Sequence, residues 1–177
     1  MATSNPPSNL SDNTQVLIDE LQLLIGASKL VDYLENERQG REGNLVNYFK
    51  DSAYVHIRNL YQFLTKQNIG GYDDITLVQL GYTPIAVKET LYDSEMLNRR
   101  VMHLTRNRHQ NEAKEPLGSP QLNEKVNEFV SDVIKHYSSW ANSITDAADK
   151  ALAFQILDTA QKQADTDFRN FEETLGA

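Results

Sequence analysis

Apolar residues recur at helical spacing along most of the chain. Spacings of three, four and seven predict a first helix from Ser11 or Asp12 to about Glu37, with a stripe of Leu17, Leu21, Leu24, Val31 and Leu34. A second helix is predicted from Asn44 to about Gln67, with a stripe of Leu45, Phe49, Ala53, Ile57, Leu60 and Leu64. Further tyrosines on the flanks of this second stripe predict a central helix.

The second half of the chain carries three further helical patterns. A third helix is predicted over 88–109, with the stripe Leu97, Val101 and Leu104. Ser119 and Pro120 are typical of an N-cap and first helical residue, and open a fourth helix with the apolar face Val126, Phe129, Val130, Val133, Tyr137, Trp140 and Ile144. A fifth, alanine-rich helix follows from about Asp146 and ends near Gly176.

These patterns predict an all-α, single-domain bundle of four to five helices over residues 11–177. Residues 1–10 are rich in Ser, Asn and Pro, which predicts a disordered tail. Residues 68–88 are interrupted by glycine and proline, and the sequence leaves a short helix and two extended pieces as alternatives there. A chain of 177 residues can bury about 70% of its unfolded surface, so it needs no disulfide or metal to fold.

Composition indicates more about where in the cell the protein is expected than about its activity. The chain has no cysteine, its first 13 residues lack the charged and apolar parts of a signal peptide, and no apolar run suits a membrane span. We therefore expect a cytoplasmic protein that does not bind membranes. Its formal net charge of -8 argues against general attraction to nucleic acid, so any such binding requires a local basic patch.

The familiar enzymatic motifs are missing. The chain contains no HExxH, no Glu-x-x-His pair, no GxxxxGK, no GxGxxG and no GxSxG. The sequence therefore predicts no cofactor and no metal site.

One stretch differs from the acidic background. Residues 98–110, NRRVMHLTRNRHQ, contain four arginines, two histidines and no acid. In a helix, Arg99, His103 and Arg106 share one face, so they can address a single anion such as a phosphate group. The neutral imidazole of His103 could accept a proton during RNA cleavage, with Arg99 stabilising the developing charge. Asn98 and Arg58 complete the candidate set for binding anions or RNA.

Each of these residues also has a structural interpretation. A histidine in the middle of a helix is more often a packed side chain with one hydrogen bond. Arginines near a helix C-terminus stabilise the helix, because their positive charge interacts favourably with the helix dipole. For His103 the structural interpretation is the favoured one, and more so for Arg106 and Arg108 at the end of the helix. His56, inside the second stripe, is predicted to be a satisfied core histidine. Arg58, if buried, requires a carboxylate, and Asp51, Asp73 and Asp74 are the candidates.

Two segments resemble a known superfamily. YVHIRNLYQFL in the second helix and MLNRRVMHLTRNR in the third resemble uncharacterised bacterial helical proteins and, more distantly, the HEPN superfamily, over about residues 44–110. The resemblance implies a helical bundle, a homodimer and a role in bacterial defence or stress, as in toxin–antitoxin and antiphage systems. HEPN nucleases carry an Arg-x4-6-His motif. Here Asn98 stands five residues before His103, and Arg99 is displaced by one.

The absence of the motif's arginine argues against nuclease activity. One residue of displacement turns a helical side chain by about 100°, so Arg99 does not replace the missing arginine. We therefore expect a HEPN-like, noncatalytic module that binds RNA, phosphate or a protein partner. Two alternatives stay open, namely a metal-independent HEPN-type endoribonuclease using His103 and Arg99, and a purely structural or dimerisation bundle.

Overall fold

The structure, a computed structural model, describes residues 9–37, 43–67, 75–86 and 120–176. These residues contain no β-strand and form four α-helices: α1 (Thr14–Asn36), α2 (Gly43–Thr65), α3 (Pro120–Ser143) and α4 (Ala147–Gly176). A short 3₁₀ helix, Ser11–Asn13, precedes α1. The prediction of an all-α helical bundle is confirmed for this part of the chain, while the predicted helix over 88–109 lies outside the described residues.

Local sequence signals explain where the helices begin. α3 begins at Pro120, where the fixed φ of proline was expected to open a helix. The start of α4 is capped by Asp146, whose Oδ1 accepts hydrogen bonds from the backbone amides of Ala148 and Asp149, both at 2.9 Å. Such a cap satisfies amides that have no partner within the helix. The predicted boundaries therefore agree with the structure within a few residues.

α1 packs against both α2 and α4, and α2 also packs against α3. The predicted stripe of α1 is buried at every position, as is that of α3. α2 is buried or half-buried around most of its circumference, and Tyr48 is its one fully exposed side chain within the described part of the helix. α1 packs against all three other helices, whereas α2 packs mainly against α1 and α3, so among the described helices α1 and not α2 is the central one.

Trp140 of α3 contacts three other aromatic rings of the core. Its ring centroid lies 5.5 Å from that of Phe63, 5.5 Å from that of Tyr82 and 5.1 Å from that of Tyr137, all edge to face. Edge-to-face packing is a favourable arrangement of aromatic rings. These contacts bring α2, α3 and the segment 75–86 together.

The segment 75–86 is neither helix nor strand. A turn spans 77–81, and Gly81 has a φ of 81°, which glycine adopts without steric cost. The backbone amides of Leu77 and Ile85 donate to the carbonyls of Phe63 and Leu64, at 3.0 and 2.8 Å. The segment is therefore attached to the C-terminal end of α2 by its backbone.

The N-terminal boundary of the packed region lies close to the 3₁₀ helix. Residues 1–8 of the predicted tail lie outside the described residues, whereas Leu10 is 1% exposed and belongs to the core. Asn9 Oδ1 accepts hydrogen bonds from the Ser11 hydroxyl at 2.6 Å and the Asp12 amide at 2.9 Å. The packed part of the chain therefore includes Leu10. Among the helices described, none combines the length and the apolar character needed to cross a membrane.

Candidate functional site

Of the five residues predicted to bind anions or RNA, one is described by the structure. Arg58 lies on α2 and is half-buried. Asn98, Arg99, His103 and Arg106, including the two predicted catalytic residues, lie outside the described residues. A candidate site can therefore be described only from Arg58 and from the other polar side chains of α1 and α2.

The guanidinium group of Arg58 has an unusual environment. Its Nε is buried and has no hydrogen-bond partner. None of the ion pairs between described residues involves Arg58, and Asp51, one of its three expected partners, does not pair with it. The other two, Asp73 and Asp74, lie outside the described residues. A buried donor without an acceptor is destabilising, so this nitrogen is suited to receive one from a ligand.

Two tyrosines lie on the same face of α2 as Arg58. Tyr54 is one turn before it and Tyr61 nearly one turn after it, and they are 2% and 7% exposed. Their burial makes this side of α2 apolar. Because electrostatic attraction increases as the dielectric falls, an anion beside Arg58 would be held more strongly than at an open surface. We call Tyr54, Arg58 and Tyr61 the Arg58 face.

A second polar cluster joins α2 to α1 through His56. Its Nδ1 lies 2.8 Å from Oε2 of Glu20, and Asn59 Nδ2 donates to both oxygens of the same carboxylate at 3.2 and 3.3 Å. The side chains of His56 and Glu20 are 13% and 27% exposed. His56 therefore has a partner, as predicted, but it is half-buried at the edge of the bundle and not a core residue. With a proton on Nδ1 the imidazole donates to this carboxylate, and the contact fixes the orientation of the ring.

A groove opens beside this cluster, between α1, α2 and the first residues of the segment 75–86. Its volume is about 250 Å³. The lining combines an apolar floor with polar groups at the edges: Val16, Leu17, Glu20, Asn59, Leu60, Gln62, Phe63, Lys66, Ile75 and Thr76. We call it the α1–α2 groove.

Sequence reasoning missed a buried lysine in the core. Lys50 of α2 is 1% exposed, and its Nζ lies 2.6 Å from Oε1 of Glu35 on α1. A signal was present, because Lys50 lies three residues before Ala53 and seven before Ile57, within the apolar stripe. The partner could not be read from the sequence, since it depends on how α1 and α2 are aligned.

Neither the described side chains nor the comparisons with known proteins indicate a metal site or a family. Across residues 9–37, 43–67, 75–86 and 120–176, no three His, Asp or Glu side chains form a group that could hold a metal ion. In comparisons with known proteins, no family profile, no curated protein and no solved structure matches this chain.

Proposed function

We propose that this chain is a noncatalytic, HEPN-like helical module that binds RNA through its phosphate groups. In this proposal Arg58 supplies one contact, and Arg99, His103 and Arg106 of the basic stretch supply the others. The observation that carries the proposal is the buried Nε of Arg58, which lacks a hydrogen-bond partner.

Arg58 has the chemistry that phosphate recognition requires. A guanidinium group donates parallel hydrogen bonds to two oxygens of one phosphate, and stays charged at any physiological pH. Arg58 as a whole is half-buried, so a ligand can reach the exposed part of its side chain from solvent, and contact with the buried Nε requires neighbouring side chains to move aside. Phosphate binding would supply both the missing acceptor and a counter-charge in an apolar environment.

RNA fits the predicted set of cations better than an isolated phosphate does. In the helix that the sequence predicts, Arg99 and Arg106 would be separated by about 10 Å along the axis, so their long side chains could either close on one phosphate or reach successive phosphates of one strand, which only a nucleic acid offers. The net charge of -8 repels a polyanion as a whole. Binding is therefore expected to rest on about three local contacts and to have a shallow salt dependence, with a slope of log K against log salt near -2.

The noncatalytic part of the proposal rests on Asn98. The HEPN motif places arginine five, six or seven residues before the histidine, and those positions before His103 are occupied by Asn98, Leu97 and Met96. Without that arginine, His103 lacks the cation that would stabilise charge on the phosphate during cleavage. We therefore expect retention of RNA without turnover, in the setting of a bacterial defence or stress system that the resemblance implies.

The proposal is tested by fluorescence anisotropy with labelled single-stranded RNA. Arg58→Gln is expected to weaken binding about tenfold and to reduce the salt slope by about 0.7, the value for one lost contact. Arg169→Gln is the matched control, because Arg169 is exposed on α4 and its Nε donates to the Asp165 carbonyl at 3.2 Å. Circular dichroism of both variants verifies folding.

Two results would contradict the proposal. Equal RNA affinity in wild type and a folded Arg58→Gln variant would remove Arg58 from the site. Cleavage of the RNA by wild type, abolished in His103→Ala, would replace the noncatalytic module with the endoribonuclease alternative. The RNA is therefore recovered after each titration and its length compared by electrophoresis.

A further inference from the structure

We infer that the N-terminal half of α1 and the adjoining α1–α2 groove form a docking surface for a basic amphipathic helix of a partner protein. The surface consists of the outer residues Val16, Asp19, Glu20 and Leu23, at positions i, i+3, i+4 and i+7 of one helix face, together with the groove. It is separate from the Arg58 face and serves a different ligand.

The outer face of α1 exposes large apolar side chains. Val16 is 49% exposed and Leu23 is 50% exposed. Tyr48 is the other large hydrophobic side chain exposed within the described part of the chain, and it lies on α2. Two exposed aliphatic residues on one helix face, next to an apolar groove, are typical of a protein interaction site.

The groove has the size of a site for a side chain rather than for a metabolite. Its volume of about 250 Å³ is below the roughly 300 Å³ at which small-molecule sites begin. Its floor is apolar and closely packed, since Leu17, Leu60 and Phe63 are 3%, 1% and 4% exposed. One apolar side chain from a partner would fill it, as in helix-in-groove recognition.

The charge of the surface specifies the partner. Residues 9–28 contain three acids, Asp12, Asp19 and Glu20, and no lysine or arginine. Glu20 is held in place by His56 and Asn59, so its negative charge at the groove is preorganised. Lysine or arginine side chains beside the anchoring residue would complement these acids.

The distribution of charged residues across the groove also orients the partner. The acid that lines the groove, Glu20, belongs to its α1 wall, whereas Lys66 lines the opposite side, just after the end of α2. A bound helix would therefore turn its basic face toward α1. Its apolar anchors would be spaced to meet Val16 and Leu23, which are about 10 Å apart along α1.

The inference is tested with two synthetic helical peptides that share the same leucine positions. One carries lysine at every polar position, and the other carries glutamate. We expect the lysine peptide to bind the full chain in a fluorescence titration, and the glutamate peptide not to bind. The double variant Val16→Ser, Leu23→Ser should weaken binding at least about tenfold, because both anchoring contacts are lost.

Matched variants separate the contribution of the apolar side chains from that of the acidic ones. Tyr48→Ser removes a side chain that is 71% exposed elsewhere, and is expected to leave the affinity unchanged. Asp19→Asn should weaken binding severalfold and reduce its salt dependence, whereas Asp158→Asn, on the exposed side of α4, should do neither. All substituted positions are exposed, so the variants are expected to fold.

Several outcomes would overturn the inference. These are no binding of the lysine peptide at about 100 μM, equal binding of both peptides, or equal affinity in the serine double variant. A dimer in sedimentation experiments that this double variant dissociates would assign the surface to a second copy of the chain instead. RNA affinity is expected to be unchanged in the double variant, which keeps this test distinct from that of Arg58.

Discussion

Nζ of Lys50 lies 2.6 Å from Oε1 of Glu35, and this ion pair joins α2 to α1 inside the bundle. The two partners differ in their access to water, because the side chain of Lys50 is 1% exposed and that of Glu35 is 18% exposed. The ammonium group is therefore the partner that depends on the contact. Removing one partner of a buried pair leaves an uncompensated charge, which is worse than removing the charge itself.

This asymmetry predicts different effects for substitutions on the two sides. Glu35→Gln is expected to lower the free energy of unfolding by about 3 kcal/mol, since it leaves Lys50 charged and buried. Lys50→Met should cost less than about 1 kcal/mol, because Glu35 retains contact with water. Urea denaturation measures both. Lys29→Gln, which breaks an exposed pair with Asp165, is the control and should cost less than 1 kcal/mol. Equal losses for Glu35→Gln and Lys50→Met would refute this assignment.

Trp140 is the single tryptophan of the chain, and it is 2% exposed. Trp140→Ala is expected to lower the free energy of unfolding by about 4 kcal/mol, because it opens a cavity between Phe63, Tyr82 and Tyr137. Trp140→Phe should be milder, since the Nε1 that it removes is buried and has no hydrogen-bond partner. Thermal denaturation followed by circular dichroism measures both variants. If both variants lose a similar amount of unfolding free energy, cavity formation is not the main cause of the loss.

Arg58 predicts a trade-off between stability and ligand binding. Arg58→Met removes an unpaired buried donor while keeping an apolar side chain, so the unliganded variant is expected to be more stable by about 1 kcal/mol. The same variant should lose RNA affinity. Urea denaturation without RNA provides the measurement. A clear loss of stability would show that Arg58 contributes a structural contact instead.

Asp165 provides a test of local electrostatics. A hydrogen bond from Lys29, at 2.8 Å, followed by the charge of Lys29, lowers the pKa of Asp165 below its ordinary value of 3.8. Since the pKa is lower in the folded state, the pair stabilises the fold above pH 3.8, and this contribution is lost as the pH falls through the folded-state pKa.

The shift can be measured directly by an NMR titration of the Asp165 carboxyl carbon. Lys29→Gln is expected to return the pKa toward its ordinary value, while Lys135→Gln, an exposed lysine on α3, should leave it unchanged. If Asp165 titrates at the same pH in wild type and in Lys29→Gln, the contact does not persist in solution.

The helices of the described region were largely predictable, because each is encoded by short-range signals. Pro120 opens α3, the Asp146 carboxylate caps α4, and the stripe from Val126 to Ile144 is buried as the spacing indicated. Apolar spacing in a helix depends only on its pitch, so it needs no knowledge of the other helices. The turn at 77–81 was left open, because its backbone is held by hydrogen bonds to Phe63 and Leu64 of another element.

The candidate sites were predictable only in part. The sequence identified Arg58 as a residue of interest and left Asp51, Asp73 and Asp74 open as its partner. None of the ion pairs between described residues involves Arg58, and Asp73 and Asp74 lie outside those residues. His56 was predicted to be satisfied, but its partner was not identified. Asn98, Arg99, His103 and Arg106 lie outside the described residues, so their roles stay predictions. The α1–α2 groove had no signal in the sequence, because its walls come from separate elements.

The sequence by itself determined the helical class, the positions of α1 to α4 and the faces that they bury. Only the tertiary structure decided that Glu20 meets His56, that Glu35 meets Lys50 and that Arg58 Nε has no acceptor. The reason is physical. Helix formation and amphipathic burial follow from contacts within about one turn of the chain, whereas the pairing of charges depends on the rotation and axial alignment of helices that are distant in sequence.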